Sequence, residues 1–258
     1  ACMLTVPLVN LKGGVGKTST VLGLADAAAR VSGRRVLVID MDPQANASQC
    51  LAPDLDDATE LTINDVLVAD KVGGLVSAIR ETPWPGVSLV PSSITLASRE
   101  SDGGPTAPLR LRRALRGLDE ERFPLVLIDC NPSIGLLTVN ALAAATAALI
   151  VSEASRASLR GIAETMANIE GAAELNPGLT VAGIVVNRYD ARSSEETYRL
   201  AELREAYGSQ VWDPVIPSRA VVKTAYGAST PVGTLNTAPA VEVAEAYETL
   251  ARRLLALS

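Results

Sequence analysis

The sequence predicts an α/β fold: a doubly wound, mostly parallel β-sheet with helices on both faces. Short apolar stretches, typical of buried parallel strands, alternate along the chain with alanine- and leucine-rich helical patterns. A glycine-rich segment at residues 12–19 joins the first strand to the first helix in a compact connection. Such alternation favours βαβ units, in which each helix crosses one face of the sheet.

Seven apolar runs are the predicted strands, and six longer patterns are the predicted helices. The strands are Leu4–Val9, Val36–Ile39, Val87–Val90, Leu125–Ile128, Ala148–Val151, Val181–Val186 and Val211–Ile216. The helices are Ser19–Arg30, Leu109–Leu118, Leu136–Ala145, Leu159–Leu175, Ser194–Tyr207 and Ala240–Leu257. Ligands of such sheets bind at the carboxyl ends of the strands, where residues 12–19 lie.

Composition limits the possible classes of protein. The 258 residues are assigned to a single domain, 1–258, because α/β domains often reach this size. A net charge of −6 argues against general attraction to nucleic acid or acidic membranes, so DNA binding requires a local basic patch. The chain has no histidine, which excludes His-based acid–base catalysis, and its widely spaced Cys2, Cys50 and Cys130 do not match zinc-finger spacing. Reduced cysteines, a cytosolic location and no membrane span are expected.

The glycine-rich segment has the composition of a phosphate-binding loop. Its residues are Lys12, Gly13, Gly14, Val15, Gly16, Lys17, Thr18 and Ser19. The glycines allow positive φ angles and bring backbone N–H groups close to phosphate oxygens at the start of a helix. In such a loop Lys17 holds the β and γ phosphates, and the Thr18 hydroxyl ligates magnesium.

Carboxylates follow two of the predicted strands. Asp40 and Asp42 are separated by one residue, so alternation allows both to face the phosphate site, although either is also a suitable N-cap for a following helix. Asp129 ends an apolar strand, as in a Walker B motif, and is predicted to contact magnesium through water.

Details of these motifs resemble one family of P-loop NTPases. Leu11 stands where the ordinary Walker A motif has its first glycine, and Lys12 adds a second lysine to the loop. This resembles the deviant Walker A motif of ParA/MinD ATPases, and Asp40-Met41-Asp42-Pro43-Gln44 resembles the ParA segment D-x-D-P-Q. The resemblance extends from Val6 to about Val232 and is closest to Soj-like ParA partition ATPases. Asn131 departs from it, because the family has proline there.

The resemblance implies roles for individual residues. Lys12 reaches the nucleotide of a dimer partner, Asp40 supports magnesium through water, and Asp42 orients the attacking water. Asn187 and Pro217 contact the adenine. Two alternatives remain open: Lys12 as a solvated loop charge and Asn187 as a turn residue.

The resemblance also implies an ATPase that uses ATP and Mg²⁺, forms a homodimer with ATP and binds DNA without sequence preference. A ParB-like centromere-binding protein stimulates it, and its location is cytoplasmic and nucleoid-associated, with no membrane partner. Arg192, Arg219 and Lys223 are the candidate DNA contacts, or equally ordinary solvated charges. Because the phosphate loop begins close to residue 1, no separate N-terminal helix-turn-helix domain is expected.

Two other classes compete with this interpretation. A MinD-like membrane ATPase needs a basic amphipathic terminal helix, but Glu242, Glu245 and Glu248 precede the arginines of the tail, so a core-packed closing helix is favoured. A reductase resembling the nitrogenase iron protein needs paired cluster-ligating cysteines, and Cys130 has no matching second cysteine.

Overall fold

A computed structural model describes residues 3–56 and 60–257, which build a seven-stranded sheet. The strands are β1 (Leu4–Val9), β2 (Val36–Met41), β3 (Arg80–Glu81), β4 (Val87–Val90), β5 (Leu125–Cys130), β6 (Ala147–Ser152) and β7 (Thr180–Val186). Their order is β3-β4-β2-β5-β1-β6-β7, and only the edge pair β3 and β4 is antiparallel. The predicted mostly parallel sheet is confirmed.

Helices cover both faces of this sheet. They are α1 (Lys17–Ser32), α2 (Asn46–Leu51), α3 (Ile63–Ala69), α4 (Arg110–Leu115), α5 (Leu136–Ala144), α6 (Ser158–Gly171), α7 (Ser194–Tyr207), α8 (Ala220–Gly227) and α9 (Ala238–Leu255). Side chains of β2 alternate between the two faces of the sheet. Val36 and Val38 pack in the core with α1 and α9, whereas Leu37 and Ile39 pack in the core with α3 to α7. Both faces are therefore apolar, which explains the continuous hydrophobic strand sequences.

The prediction of a strand at Val211–Ile216 is wrong, because the segment forms no regular strand. The segment lies beside β7, where the N–H groups of Trp212 and Ile216 donate to the carbonyls of Ile184 and Val186, both at 2.8 Å. Between them Pro214 has no N–H to donate, so isolated bridges replace a regular ladder. The seventh strand is instead the two-residue β3, which the sequence did not indicate.

Three short helices, α2, α3 and α8, were also not predicted. Helices of six to eight residues contain too few turns for a clear apolar periodicity. Helix α3 begins with a capping box, in which the backbone N–H and the hydroxyl of Thr62 each lie 2.8 Å from a carboxylate oxygen of Asp65.

Helix α9 confirms the prediction of a core-packed closing helix. Its Val243, Tyr247, Leu250 and Leu254 are buried in the core that also contains α1. Among the residues described, no helix is long and apolar enough to cross a membrane. Cys50 and Cys130 are buried free thiols, and Cys2 lies outside the described residues. Assignment of residues 1–258 to one domain remains a prediction.

Candidate nucleotide site

The predicted phosphate-binding loop connects β1 to α1, and its Lys17 side chain points into the protein. Gly14 and Gly16 have φ angles of 80° and 89°, a region that glycine adopts readily. Lys17 is buried, and its Nζ donates to the carbonyl of Asn10 at 3.1 Å, which spans the loop. Burial lowers the pKa of Lys17, and the carboxylate of Asp129 partly offsets this effect. The Lys17 ammonium is thus already placed inside the loop.

Asn187, at the end of β7, clamps this loop from the opposite side. Its Nδ2 donates to the carbonyls of Val15 and Gly16 at 3.2 and 3.3 Å, and its Oδ1 accepts from the N–H of Arg188. A Cβ at Gly16 would lie 2.0 Å from this Nδ2, so glycine is needed here for space as well as for its φ angle. The Asn187 amide, which was predicted to contact adenine, binds the backbone of the loop in this structure. Asn187 is therefore more than a turn residue.

Lys12 lies at the mouth of the loop, paired within its own chain. Its Nζ is 3.2 Å from an oxygen of Glu153, and its side chain is 45% exposed. Arg188 approaches the other oxygen of Glu153 at 3.6 Å and donates to the carbonyl of Gly14 at 2.5 Å. Lys12 is therefore neither buried nor free, and its contact with a dimer partner remains a prediction.

Asp40 and Asp129 face each other in register on the neighbouring strands β2 and β5. Asp40 is fully buried and accepts from the N–H and the hydroxyl of Ser48 at 2.8 and 2.7 Å, and from the N–H of Asp42 at 3.1 Å. Its carboxylate therefore organises the turn that carries Asp42. A water-mediated contact with magnesium remains a prediction for Asp40.

Asp42 lies at the edge of the cleft in front of the phosphate loop. Its Oδ1 accepts from the N–H of Gln44 at 2.9 Å, an Asx turn that holds the side chain in place. Ala45, and not an aspartate, is the N-cap residue of α2, so the alternative of an N-cap role does not apply to Asp40 or Asp42 at this helix.

Asp129 has an unusual environment, because both of its carboxylate oxygens are buried and neither has a hydrogen-bond partner within residues 3–56 and 60–257. Burial raises its pKa well above the ordinary value, and the nearby charge of Asp40 raises it further. The nearby Thr18 hydroxyl lowers the pKa of Asp129 in part, although its geometry does not meet the criteria for a hydrogen bond. A buried polar group left unpaired costs about 1–3 kcal/mol, and more when charged.

A hydrated cation beside Thr18 would supply the missing partners of Asp129, so these residues fit magnesium. No group of three or more His, Cys, Asp or Glu side chains among the described residues is placed to hold a metal by itself. Magnesium usually keeps several waters and binds through one or two carboxylates together with substrate phosphates. The donor set therefore suits a metal that arrives with a nucleotide.

Two adjoining cavities extend from the loop. The first, of about 620 Å³, is lined by Lys17, Thr18 and Asp42, and the second, of about 710 Å³, by Asn187 and Pro217. Four residues border both: Ser19, Arg188, Tyr226 and Gly227. The predicted phosphate and adenine residues are thereby brought into one continuous region of suitable size for a nucleotide.

The candidate DNA residues lie next to the second cavity. Lys223 is exposed and lines it, as does Arg219. Arg219 and Arg192 also line a groove of about 400 Å³ between α9 and residues 189–192 and 214–217. Both arginines are paired there, Arg219 with Glu242 and Arg192 with Asp190. Hydrogen bonds from Arg192 lower the pKa of Asp190 to about 2.

Three residues of the site were missed in the sequence: Glu153, Arg188 and Tyr226. The Tyr226 hydroxyl donates to the carbonyl of Ser19 at 3.3 Å, which ties α8 to the first turn of α1. Arg188 has a φ angle of 56°, uncommon for a residue with a side chain. Glu153 and Arg188 follow strand ends, which was a weak signal, and Tyr226 lies within α8, which gave no signal. The contacts of these three residues with the loop and α1 join positions more than 100 residues apart.

Comparisons with known proteins agree with this geometry. A family model described as an AAA domain matches residues 3–181. The chain is 38% identical over 254 residues to the chromosome-partitioning ATPase Soj of Thermus thermophilus, covering 97% of this chain and 95% of that protein. It is 37% identical over 229 residues to the chromosome partitioning protein ParA of Caulobacter vibrioides, covering 87% of this chain and 84% of that protein.

A solved structure with the same fold has bound nucleotide. It is cobyrinic acid a,c-diamide synthase from Mycobacterium smegmatis with ADP and magnesium, which superposes with a TM-score of 0.81 at 30% identity. The match covers 98% of this chain and 94% of that one. The fold class predicted from the sequence is thus found in a protein that holds a nucleotide and a metal.

Proposed function

The chain belongs to the ParA/MinD superfamily of P-loop ATPases, and we propose that it is a ParA-type ATPase of plasmid or chromosome partition. In this proposal it binds ATP with magnesium and forms a homodimer that binds DNA without sequence preference. A ParB-like centromere-binding partner stimulates hydrolysis. Its location is cytoplasmic and associated with the nucleoid.

One observation supports the ATPase activity most directly. The buried carboxyl group of Asp129 has no hydrogen-bond partner among the described residues, and it lies close to Lys17 and Thr18 of the loop. A magnesium ion bound with a triphosphate would supply the missing partners of the Asp129 carboxyl group, and the phosphates would accept hydrogen bonds from the Lys17 ammonium. Magnesium, when bound, would neutralise charge on the β and γ phosphates.

Hydrolysis then depends on positioning by this chain's own residues. Lys17 holds the β and γ oxygens, and the Asx turn of Asp42 leaves its second oxygen available to a water. That water attacks the γ phosphorus while the bond to the bridging oxygen breaks, and ADP and phosphate leave. Lys12 of a second subunit adds positive charge at the γ phosphate, so loss of this phosphate weakens the dimer. Hydrolysis therefore works as a switch.

The first experiment measures binding of the purified protein to random-sequence duplex DNA. It compares ATP, ADP and no nucleotide at two salt concentrations, with magnesium-dependent ATP hydrolysis measured in parallel. Binding only with ATP, weakened by salt, is the expected result, because phosphate contacts release counterions. ATP hydrolysis without DNA binding in any state would refute the DNA role and would favour a protein or membrane cargo.

A further inference from the structure

In the groove beside α9, two candidate DNA-binding arginines each form an ion pair with a carboxylate of the same chain. Arg219 donates from Nε and Nη2 to the two carboxylate oxygens of Glu242, at 2.7 and 2.8 Å, and from Nη1 to the carbonyl of Ser218. Arg192 makes a similar two-pronged contact with Asp190, at 2.9 and 2.8 Å. Each of the three nitrogens of the Arg219 guanidinium is therefore engaged within the chain.

Charge in this groove disfavours a polyanion. Asp190, Glu242 and Glu245 line it together with Arg192 and Arg219, so three carboxylates face two guanidinium groups. A guanidinium fork fits a phosphate and a carboxylate in the same way, so DNA must compete with Glu242 for Arg219. A paired arginine contributes little to counterion release from DNA.

Arg219 also connects the groove to the nucleotide region. It borders both the groove and the second cavity of the nucleotide site, as does Pro217. It is the N-cap residue of α8, whose Tyr226 hydroxyl reaches the carbonyl of Ser19 in the first turn of α1. A ligand that fills the second cavity therefore contacts the segment that carries Arg219.

We propose that Glu242 masks Arg219 in the nucleotide-free protein and that ATP binding releases this arginine for DNA. This inference rests on the proposed DNA binding and adds its regulation. Glu242 acts as an internal competitor for the phosphate backbone, and occupation of the second cavity shifts Arg219 away from it. Lys223, which makes no ion pair with any described residue, is available in both states.

The test compares Glu242→Gln with Glu245→Gln. Both glutamates lie on α9 and line the same groove, and each variant removes one negative charge, but only Glu242 is paired with Arg219. Without nucleotide, we expect Glu242→Gln to bind random-sequence DNA about two- to fivefold more tightly than Glu245→Gln, the range that an exposed ion pair is worth. For Glu242→Gln, the slope of log affinity against log salt concentration should steepen by about one unit, and the gain in DNA affinity on adding ATP should be smaller than in wild type.

A second readout does not depend on DNA. Phenylglyoxal modifies accessible guanidinium groups, and peptide mass spectrometry gives the rate at Arg219. We expect faster modification in Glu242→Gln than in wild type or Glu245→Gln. Equal rates in all three proteins would overturn the inference, as would equal DNA affinities of the two variants in a protein that binds DNA. Faster modification with no DNA binding by any protein would support the mask and refute the proposed DNA role.

Discussion

Substitution of Gly16 by alanine isolates the contact between the phosphate loop and β7. Gly16 has a φ angle of 89°, and an alanine in the left-handed region costs about 1–2 kcal/mol. The new Cβ would lie 2.0 Å from the Asn187 amide, which must move and lose its hydrogen bonds to Val15 and Gly16. Two such bonds contribute about 1–3 kcal/mol together. The expected loss of unfolding free energy is therefore about 2–5 kcal/mol.

Gly14→Ala is the matched control, because Gly14 has a φ angle of 80° but no atom of the described residues approaches within 4 Å of its Cβ position. Urea unfolding without nucleotide should show a loss of only about 1–2 kcal/mol for this variant. In an Asn187→Ala background, the loss of unfolding free energy caused by Gly16→Ala should also fall to about 1–2 kcal/mol. The two substitutions would then show a coupling energy of about 1–3 kcal/mol. Equal losses of unfolding free energy for Gly14→Ala and Gly16→Ala would refute the role of the Asn187 contact with the loop. Additive effects of Gly16→Ala and Asn187→Ala would refute it as well.

Four further variants test the assigned chemistry. Lys17→Ala removes the buried ammonium, so we expect loss of ATP binding in equilibrium titration; normal binding would contradict its role. Lys12→Ala should bind ATP but remain monomeric in size-exclusion chromatography, and a normal ATP-dependent dimer would exclude the contact across the dimer. Asp42→Ala should dimerise with ATP yet hydrolyse it about 10²–10⁴-fold more slowly in single turnover; an unchanged rate would argue against water positioning. Asp129→Asn should raise the magnesium concentration for half-maximal hydrolysis about 10–100-fold, and an unchanged requirement would place the metal elsewhere.

Prediction from the sequence succeeded where a local pattern was long and regular. Helix Ser194–Tyr207 and strands Leu4–Val9 and Val87–Val90 have the predicted bounds. It failed at Val211–Ile216, where apolar composition suggested a strand but Pro214 interrupts the ladder. It also failed at β3, whose two residues are a strand only because β4 lies beside them.

The candidate site divides in the same way. The placement of the glycine-rich loop near Asp40, Asp42 and Asp129 could be predicted, because the carboxyl ends of parallel strands meet at one edge of the sheet. Their roles toward phosphate and magnesium stay predictions. Glu153 and Tyr226 could not, since their partners Lys12 and Ser19 are 141 and 207 positions away. No local pattern encodes which residues meet over such separations.

The sequence by itself determined the fold class and the order of the glycine-rich loop and the carboxylates after the strands, since these depend on periodicity and short-range order. Only the tertiary structure decided the electrostatic state of these groups. Pairing of β2 with β5 buries Asp129 opposite Asp40, where it has no hydrogen-bond partner in the described part of the chain, and packing of α9 beside α8 joins Glu242 to Arg219. Burial and distance set the strength of a charge interaction, and both arise when distant segments pack together.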